Sequence, residues 1–314
     1  MNPQSRREFL KASALAAAAT TLPRFTTAAT PPAKSIPKLN IFSKHLQFLD
    51  YPDMAKMAKA IGFDGIDLTV RPGGHVLPEN VVQDLPRATE AINAAGLDAP
   101  MMTTAVDDAK DPVDRQVLSQ AAKHGIKRYR MNWFPYPEGI SMPETVGNCQ
   151  SRIQSLSALN RELNLIGCYQ NHAGTLVGAS LWEVWQMLQG ADPEHFGVQY
   201  DIRHATVEGG LSWPNGFRLV QSRIKTIVIK DFKWAKKDGR AEIVNTPVGE
   251  GMVDFPRYFR MLKEAQIDVP ISLHLEYDIG GAQWGKTELT TSRDFVYEAM
   301  RKDIAAFRKL WIEA

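Results

Sequence analysis

The chain has almost no cysteine: Cys149 and Cys168 are the only two in 314 residues. Two thiols cannot build a disulfide scaffold or a four-thiolate zinc site. Cys168 lies in an apolar run, where a buried free thiol is expected. A surplus of charge is also missing. Lys and Arg number 37 against 35 Asp and Glu, a formal net charge of +2, so the bulk positive field of a nucleic-acid binder is absent. No apolar run reaches the ~18 residues of a spanning helix, so no membrane anchor is expected in the mature form. Nor does a Gly-x-Gly-x-x-Gly turn follow the first strand-like run, which argues against a dinucleotide-binding doubly wound sheet. What is present is ordinary globular composition, 44% hydrophobic and 23% charged, enough to bury a core.

Near the N-terminus, Ser5-Arg6-Arg7-Glu8-Phe9-Leu10-Lys11 precedes an alanine-rich stretch from Ala12 to Ala19. A charged start, a short weakly apolar middle and small residues after it have the layout of an export signal. The run resembles the twin-arginine signal. That resemblance implies a partner, the twin-arginine translocation machinery, and a periplasmic or otherwise exported destination reached already folded. Residues 1–29 read as the signal, residues 30–37 as a tether and residues 38–314 as one domain.

From Lys38 onward, short strand-like runs alternate with longer helical segments. The runs are Leu39–Phe42, Gly65–Val70, Pro100–Thr104, Lys127–Asn132, Leu165–Gln170, Phe196–Asp201, Thr226–Lys230 and Pro270–Glu276. Glycines 62, 96 and 125 follow helical segments as stop signals. Eight such units predict a (β/α)8 TIM barrel.

In that fold the chemistry sits at the C-terminal strand ends. The polar residues there cluster late: Gln170-Asn171-His172, Asp201-Ile202-Arg203-His204, Lys230-Asp231 and His274-Leu275-Glu276. Strand parity puts Gln170 with His172, and His274 with Glu276, on shared faces. An interior carboxylate is costly unless paired or metal-bound, which singles out Asp201 and Glu276. Asp201 has a plainer reading as a loop cap, and Glu276 as a structural partner of Lys230. Arg71 and His75, after the second run, suit hydroxyl or carboxylate recognition. Trp133, Trp213, Trp234 and Trp284 fall in rim-side loops or strand ends, where a tryptophan either stacks on a sugar ring or packs a loop; Trp234 is taken as the substrate-binding candidate. Lys233, Lys236, Lys237 and Arg240, around Asp238-Gly239, read as a solvated loop tip.

Together these residues resemble the xylose-isomerase-like barrel superfamily of sugar and sugar-phosphate isomerases and epimerases, from about Leu39 to Leu310. Gly197–His204 looks like the segment that supplies the family's Asp ligand, with a substrate-contacting His three residues on. Ser272–Glu276 looks like the final strand. The resemblance implies a divalent ion such as Mn²⁺, here on Asp201 and Glu276, and strand parity lets His274 or His172 add an imidazole ligand. Two ligand positions depart from the pattern, because Gln170 stands for a Glu and Val228 for a His. Lys230 is the alternative, holding an enediolate electrostatically in place of the ion. The implied activity is that of an exported sugar isomerase, epimerase or related lyase that removes a proton beside a carbonyl of a carbohydrate or keto-sugar. Glu276, His204, Lys230 and His172 are the catalytic candidates; Gln170, Arg71, His75 and Trp234 are the substrate-binding ones. The rival reading is a non-catalytic carbohydrate-binding barrel that has lost its ion.

Overall fold

The structure, a computed structural model, describes residues 36–314. The expected signal, and all of the tether except Ile36 and Pro37, lie outside the described residues. Strands β1 (Leu39–Phe42), β2 (Gly65–Val70), β3 (Asp98–Thr104), β4 (Arg128–Arg130), β5 (Ile166–Gln170), β6 (Phe196–Asp201) and β7 (Ile224–Ile229) run parallel around a barrel. β8 (Asp231–Lys237) and β9 (Arg240–Thr246) form a separate antiparallel hairpin. β10 (Ile271–Leu273) then closes the barrel, pairing with β7 on one side and β1 on the other. Between and after the strands lie α1 (Tyr51–Ile61), α2 (Val81–Ala94), α3 (Pro112–Lys123), α4 (Met142–Leu163), α5 (Leu181–Met187), α6 (Ile202–Gly209), α7 (Trp213–Val220), α8 (Phe255–Glu264) and α9 (Arg293–Glu313). The expected (β/α)8 architecture is present.

Local chemistry sets the helix ends. Asp50 caps α1 by accepting from the Asp53 amide, and Pro52 opens the first turn. Gly62 ends it at φ +112°, a conformation that side chains with a Cβ resist.

Strand parity decides what reaches the interior. Tyr200 packs outward against Phe217 of α7 and Tyr258 of α8, with ring centroids 5.4 and 5.7 Å away. Its neighbour Asp201 must therefore face inward. Tyr169 likewise turns out, donating to the Val177 carbonyl at 2.6 Å, so Gln170 turns in. The barrel floor beneath the site is polar: Asp67 of β2 accepts from Thr103 of β3 at 3.0 Å and from Ser272 of β10 at 2.8 Å.

Two expectations need correction. The basic segment after β7 has its turn at Asp238-Gly239 as expected, at φ +50° and φ +79°, the geometry of a type I′ connection, but the residues on either side are paired strands of a regular hairpin rather than loop. Three lysines in Asp231–Lys237 hide the strand alternation. The last barrel strand stops at Leu273, short of Glu276. Beyond it the Leu275 amide donates to the His45 ring Nε2 at 3.0 Å instead of joining the sheet.

Candidate active site

The polar strand ends meet at the C-terminal mouth of the barrel around a cavity of about 160 Å³. Gln170, His172, Lys230, His274 and Glu276 line it from the later strands, and Phe42, Lys44, Arg71, Arg130 and Trp133 from the earlier ones.

Asp201 organises one side of this mouth. It is fully buried, and its Oδ1 accepts from the His204 amide at 3.0 Å, capping α6. Its Oδ2 accepts from Gln170 Nε2 at 2.8 Å and lies 3.1 Å from Lys230 Nζ. Asn171 clamps the Asp201 backbone, donating to its carbonyl at 3.0 Å and accepting from its amide at 2.9 Å. Lys230 Nζ also lies 2.8 Å from His204 Nε2, while Arg203 Nη1 lies 2.9 Å from His204 Nδ1. Arg203 is steadied by donating to Asn245, which in turn donates to the Glu276 carbonyl. Burial, then the Lys230 charge, pushes the His204 pKa well below the ordinary imidazole range. The His172 ring lies tilted against His204, with centroids 3.9 Å apart, and burial with Lys230 lowers it to about 4. Both rings are neutral at pH 7.

Glu276 faces the same cavity from beyond β10. Burial opposes its ionisation, but Lys230 and Lys44 outweigh burial and hold its carboxyl at about 2. Lys44 Nζ is 3.2 Å from Oε1. His274 stacks on Phe42 at 4.2 Å and presents Nδ1 to Glu276 at 3.9 Å; burial, then Lys230, keeps it neutral. An ionised carboxylate, neutral imidazoles and a lysine thus share one small space, the equipment for moving a proton beside a charge that develops on oxygen.

Three expected residues are placed differently. His204 sits behind Lys230 and does not line the cavity. His75 points its Nδ1 at Ser43 Oγ, 3.1 Å away, and holds the loop after β2 rather than the cavity wall. Trp234 lies on the hairpin, 46% exposed and outside the cavity. Of the rim-side tryptophans, Trp133 is the aromatic wall of the cavity, its Nε1 donating to the Gln170 carbonyl at 3.1 Å. Sequence reading also passed over Phe42, Lys44 and Arg130 as site residues. Each ends or follows an early barrel strand, so the strand-end rule that found the late residues finds these as well.

The divalent ion implied by the resemblance does not fit these residues. Among the described residues, no three His, Cys, Asp or Glu side chains converge to hold a metal. Asp201 already accepts from Gln170 and the His204 amide and has an ammonium beside it. Gln170 turns its donor Nε2 to Asp201, and Val228 pairs with Asp201 in register. Glu276 is tied to Lys44, while His274 directs Nε2 towards Asp67, 3.9 Å away. Asp201, Glu276 and His274 are therefore not a ligand set here; Lys230 brings the positive charge.

A closed parallel barrel with its polar groups at the C-terminal mouth defines the class. Residues 55–299 match the family described as Xylose isomerase-like TIM barrel, and the chain belongs to it. Residues 3–23 match the signal sequence of the twin-arginine translocation pathway. Solved structures of similar fold include 3-keto-D-glucoside 4-epimerase from E. coli (14% identity, TM-score 0.64, covering 87% of this chain and 99% of that one). D-allulose 3-epimerase from Methylomonas sp. is another (12% identity, TM-score 0.64, 87% and 96%). So is a probable 3-DHS dehydratase involved in petrobactin synthesis from Bacillus anthracis (15% identity, TM-score 0.61, 84% and 97%). At such identities the likeness is one of fold. No curated protein matches the chain by sequence. Among the described residues, no helix is long and apolar enough to cross a membrane.

Proposed function

We propose that this chain is an exported sugar isomerase, epimerase or related lyase that removes a proton beside the carbonyl of a carbohydrate or keto-sugar. The observation that carries the reading is the ionised Glu276 carboxylate sharing a cavity with Lys230 and the neutral His172. Glu276 is the base. Lys230, fixed by Asp201 and His204, faces the oxygen on which enediolate charge develops, and His172 relays the proton to or from a neighbouring position. Gln170 commits Nε2 to Asp201 and keeps Oε1 for a substrate hydroxyl. Asp201 and His204 are positioning residues that hold Lys230. The catalytic charge comes from the chain itself, and no step passes through a metal.

We place the chain in the periplasm, with residues 1–29 as the signal, 30–37 as the tether and 38–314 as the working domain. The twin-arginine match at residues 3–23 supports export by that route.

Solvent exchange tests the reading. The mature protein is incubated in D2O with 2-keto and 3-keto hexoses, with and without a chelator, and deuterium beside the carbonyl is followed by NMR. Incorporation that survives the chelator to within about twofold is expected, since electrostatic stabilisation here rests on fixed protein groups. Exchange that the chelator abolishes would overturn the Lys230 assignment. Sugar binding with no exchange would leave the binding-barrel alternative in its place.

A further inference from the structure

The cavity is cationic beyond what its own carboxylates answer. Four cations line it, Lys44, Arg71, Arg130 and Lys230, against one carboxylate, Glu276. Lys44 is paired with Glu276 at 3.2 Å, and Lys230 with the buried Asp201 at 3.1 Å. That leaves two arginines. Asp67, on the barrel floor, accepts from Thr103 and Ser272 and attracts both arginines only from a distance, with no direct ion pair to either. Arg203, behind the wall, adds to the positive excess.

Arg130 is the more telling of the two. It is 2% exposed and its Nη1 has no hydrogen-bond partner among the described residues. Its Nη2 donates to the Thr104 carbonyl at 3.3 Å, and its guanidinium lies over the Trp133 ring at 4.1 Å, which fixes the plane of the group. Arg71 lies over Phe42 at 5.5 Å, with no side-chain hydrogen bond or ion pair among the described residues. A buried guanidinium with an unused donor is costly unless a ligand completes it. Arg71 raises that cost: burial first, then the Arg71 charge, lowers Arg130 to about 9. The group that answers a fixed, planar pair of forks is a carboxylate. At about 160 Å³ the space is below the roughly 300–1,000 Å³ of drug-sized sites, so the ligand is small.

We infer that the substrate is a sugar acid, a small polyhydroxylated molecule whose carboxylate is bound by Arg130 and Arg71 while its carbonyl end faces Glu276 and Lys230. This rests on the function proposed above and narrows its substrate class.

The test compares two polyols that differ at one carbon, D-gluconate and D-glucitol, by calorimetric titration of the mature protein, with inorganic phosphate as a third probe. Gluconate is expected to bind about tenfold or more tightly than glucitol, the size expected of charge-assisted hydrogen bonds. Arg130→Met and Arg71→Met should each remove about tenfold of gluconate affinity and leave glucitol within about twofold. Arg71 is partly exposed, so its variant carries the test should Arg130→Met fail to fold. Gluconate binding no tighter than glucitol, no binding of either, or a preference that both variants retain would overturn the inference. Phosphate binding tighter than gluconate and lost in the arginine variants would also overturn it, by assigning the arginines to a phosphate. Gluconate has no ketone, so this titration is independent of proton exchange. Tight gluconate binding without exchange on any keto-sugar acid would fault the proposed activity alone.

Discussion

The two sides of the barrel mouth differ in how fully their charges are answered. On the side built by β5, β6 and β7, Asp201 takes donors on both oxygens, Lys230 has Asp201 and His204, and Asn171 locks the backbone. On the side built by β1, β2, β4 and β10, Arg130 Nη1 and His274 Nε2 are buried without a hydrogen-bond partner among the described residues, and Arg71 makes no direct ion pair with any of them. A saturated buried network is rigid and is expensive to break; an unsaturated one is a place where a ligand supplies the missing partner. The first side is a fixed source of charge, and the second is built to be completed.

The largest effect should come from breaking the saturated side. Lys230→Met leaves Asp201 fully buried with no cation, a change that typically costs about 3–5 kcal/mol. Urea unfolding should show a loss of that order, with proton exchange gone. A variant as stable as the parent would mean that Asp201 and Lys230 are not a committed pair.

Glu276→Gln strikes the other side and should separate rate from stability. Glu276 is mostly buried, lies 3.2 Å from Lys44 and is held at about 2 by Lys230 and Lys44, so unfolding free energy should fall by less than in Lys230→Met, on the order of 1–3 kcal/mol. Exchange should fall by roughly 10²- to 10⁴-fold, the usual contribution of a general base. Exchange at the parent rate would remove Glu276 from the role of base.

The fold and the saturated side were the more legible in the sequence. Alternating runs with glycines at 62, 96 and 125 carry the barrel because parity and helix stops are local properties. Gln170, Asp201, Lys230 and Glu276 were found because strand ends five to eight concentrate polar residues. The open side was harder to read. Arg71, His274 and Glu276 stand out on it, but Lys44 follows β1 and Arg130 ends the short β4, where one basic residue looks like ordinary surface. That Arg130 is buried with an idle donor depends on Trp133 and Thr104, which is tertiary information. His204 failed as a cavity residue because its place behind Lys230 depends on the cap that Asp201 makes, and the hairpin was missed because its lysines mask the alternation.

The polar floor offers a pH test of the same contrast. Asp67 receives only hydroxyl donors, so burial raises its carboxyl to about 6 despite Ser272 and Thr103, with Arg130 and Arg71 exerting weaker pulls. His274 Nε2 faces it at 3.9 Å. The folded state therefore holds this proton more tightly than the unfolded chain. The stability it contributes is complete below the ordinary carboxyl value of 3.8 and is lost as pH rises through about 6. The difference of about two pKa units corresponds to a loss on the order of 3 kcal/mol. Asp67→Asn keeps the polar contacts without the titration. Urea midpoints from pH 4 to 7 should fall more steeply for the parent than for the variant, and parallel curves would show that Asp67 titrates normally.

The smallest effect is expected at Trp234, and it bounds the site. This side chain stands on the hairpin at 46% exposure, with its ring edge-on to Phe232 at 6.0 Å. It lines neither side of the mouth, and the aromatic wall belongs to Trp133, which is fixed by the Gln170 carbonyl and by Arg130. Trp234→Ala should shift unfolding free energy by about 0.5 kcal/mol or less, as exposed substitutions usually do, with exchange rates close to those of the parent. Trp133→Ala in the same assay should slow exchange and weaken gluconate together, because it frees the plane of Arg130. A strong loss at Trp234 with little at Trp133 would mean that the hairpin folds down over the substrate, and the mouth would then have a third side.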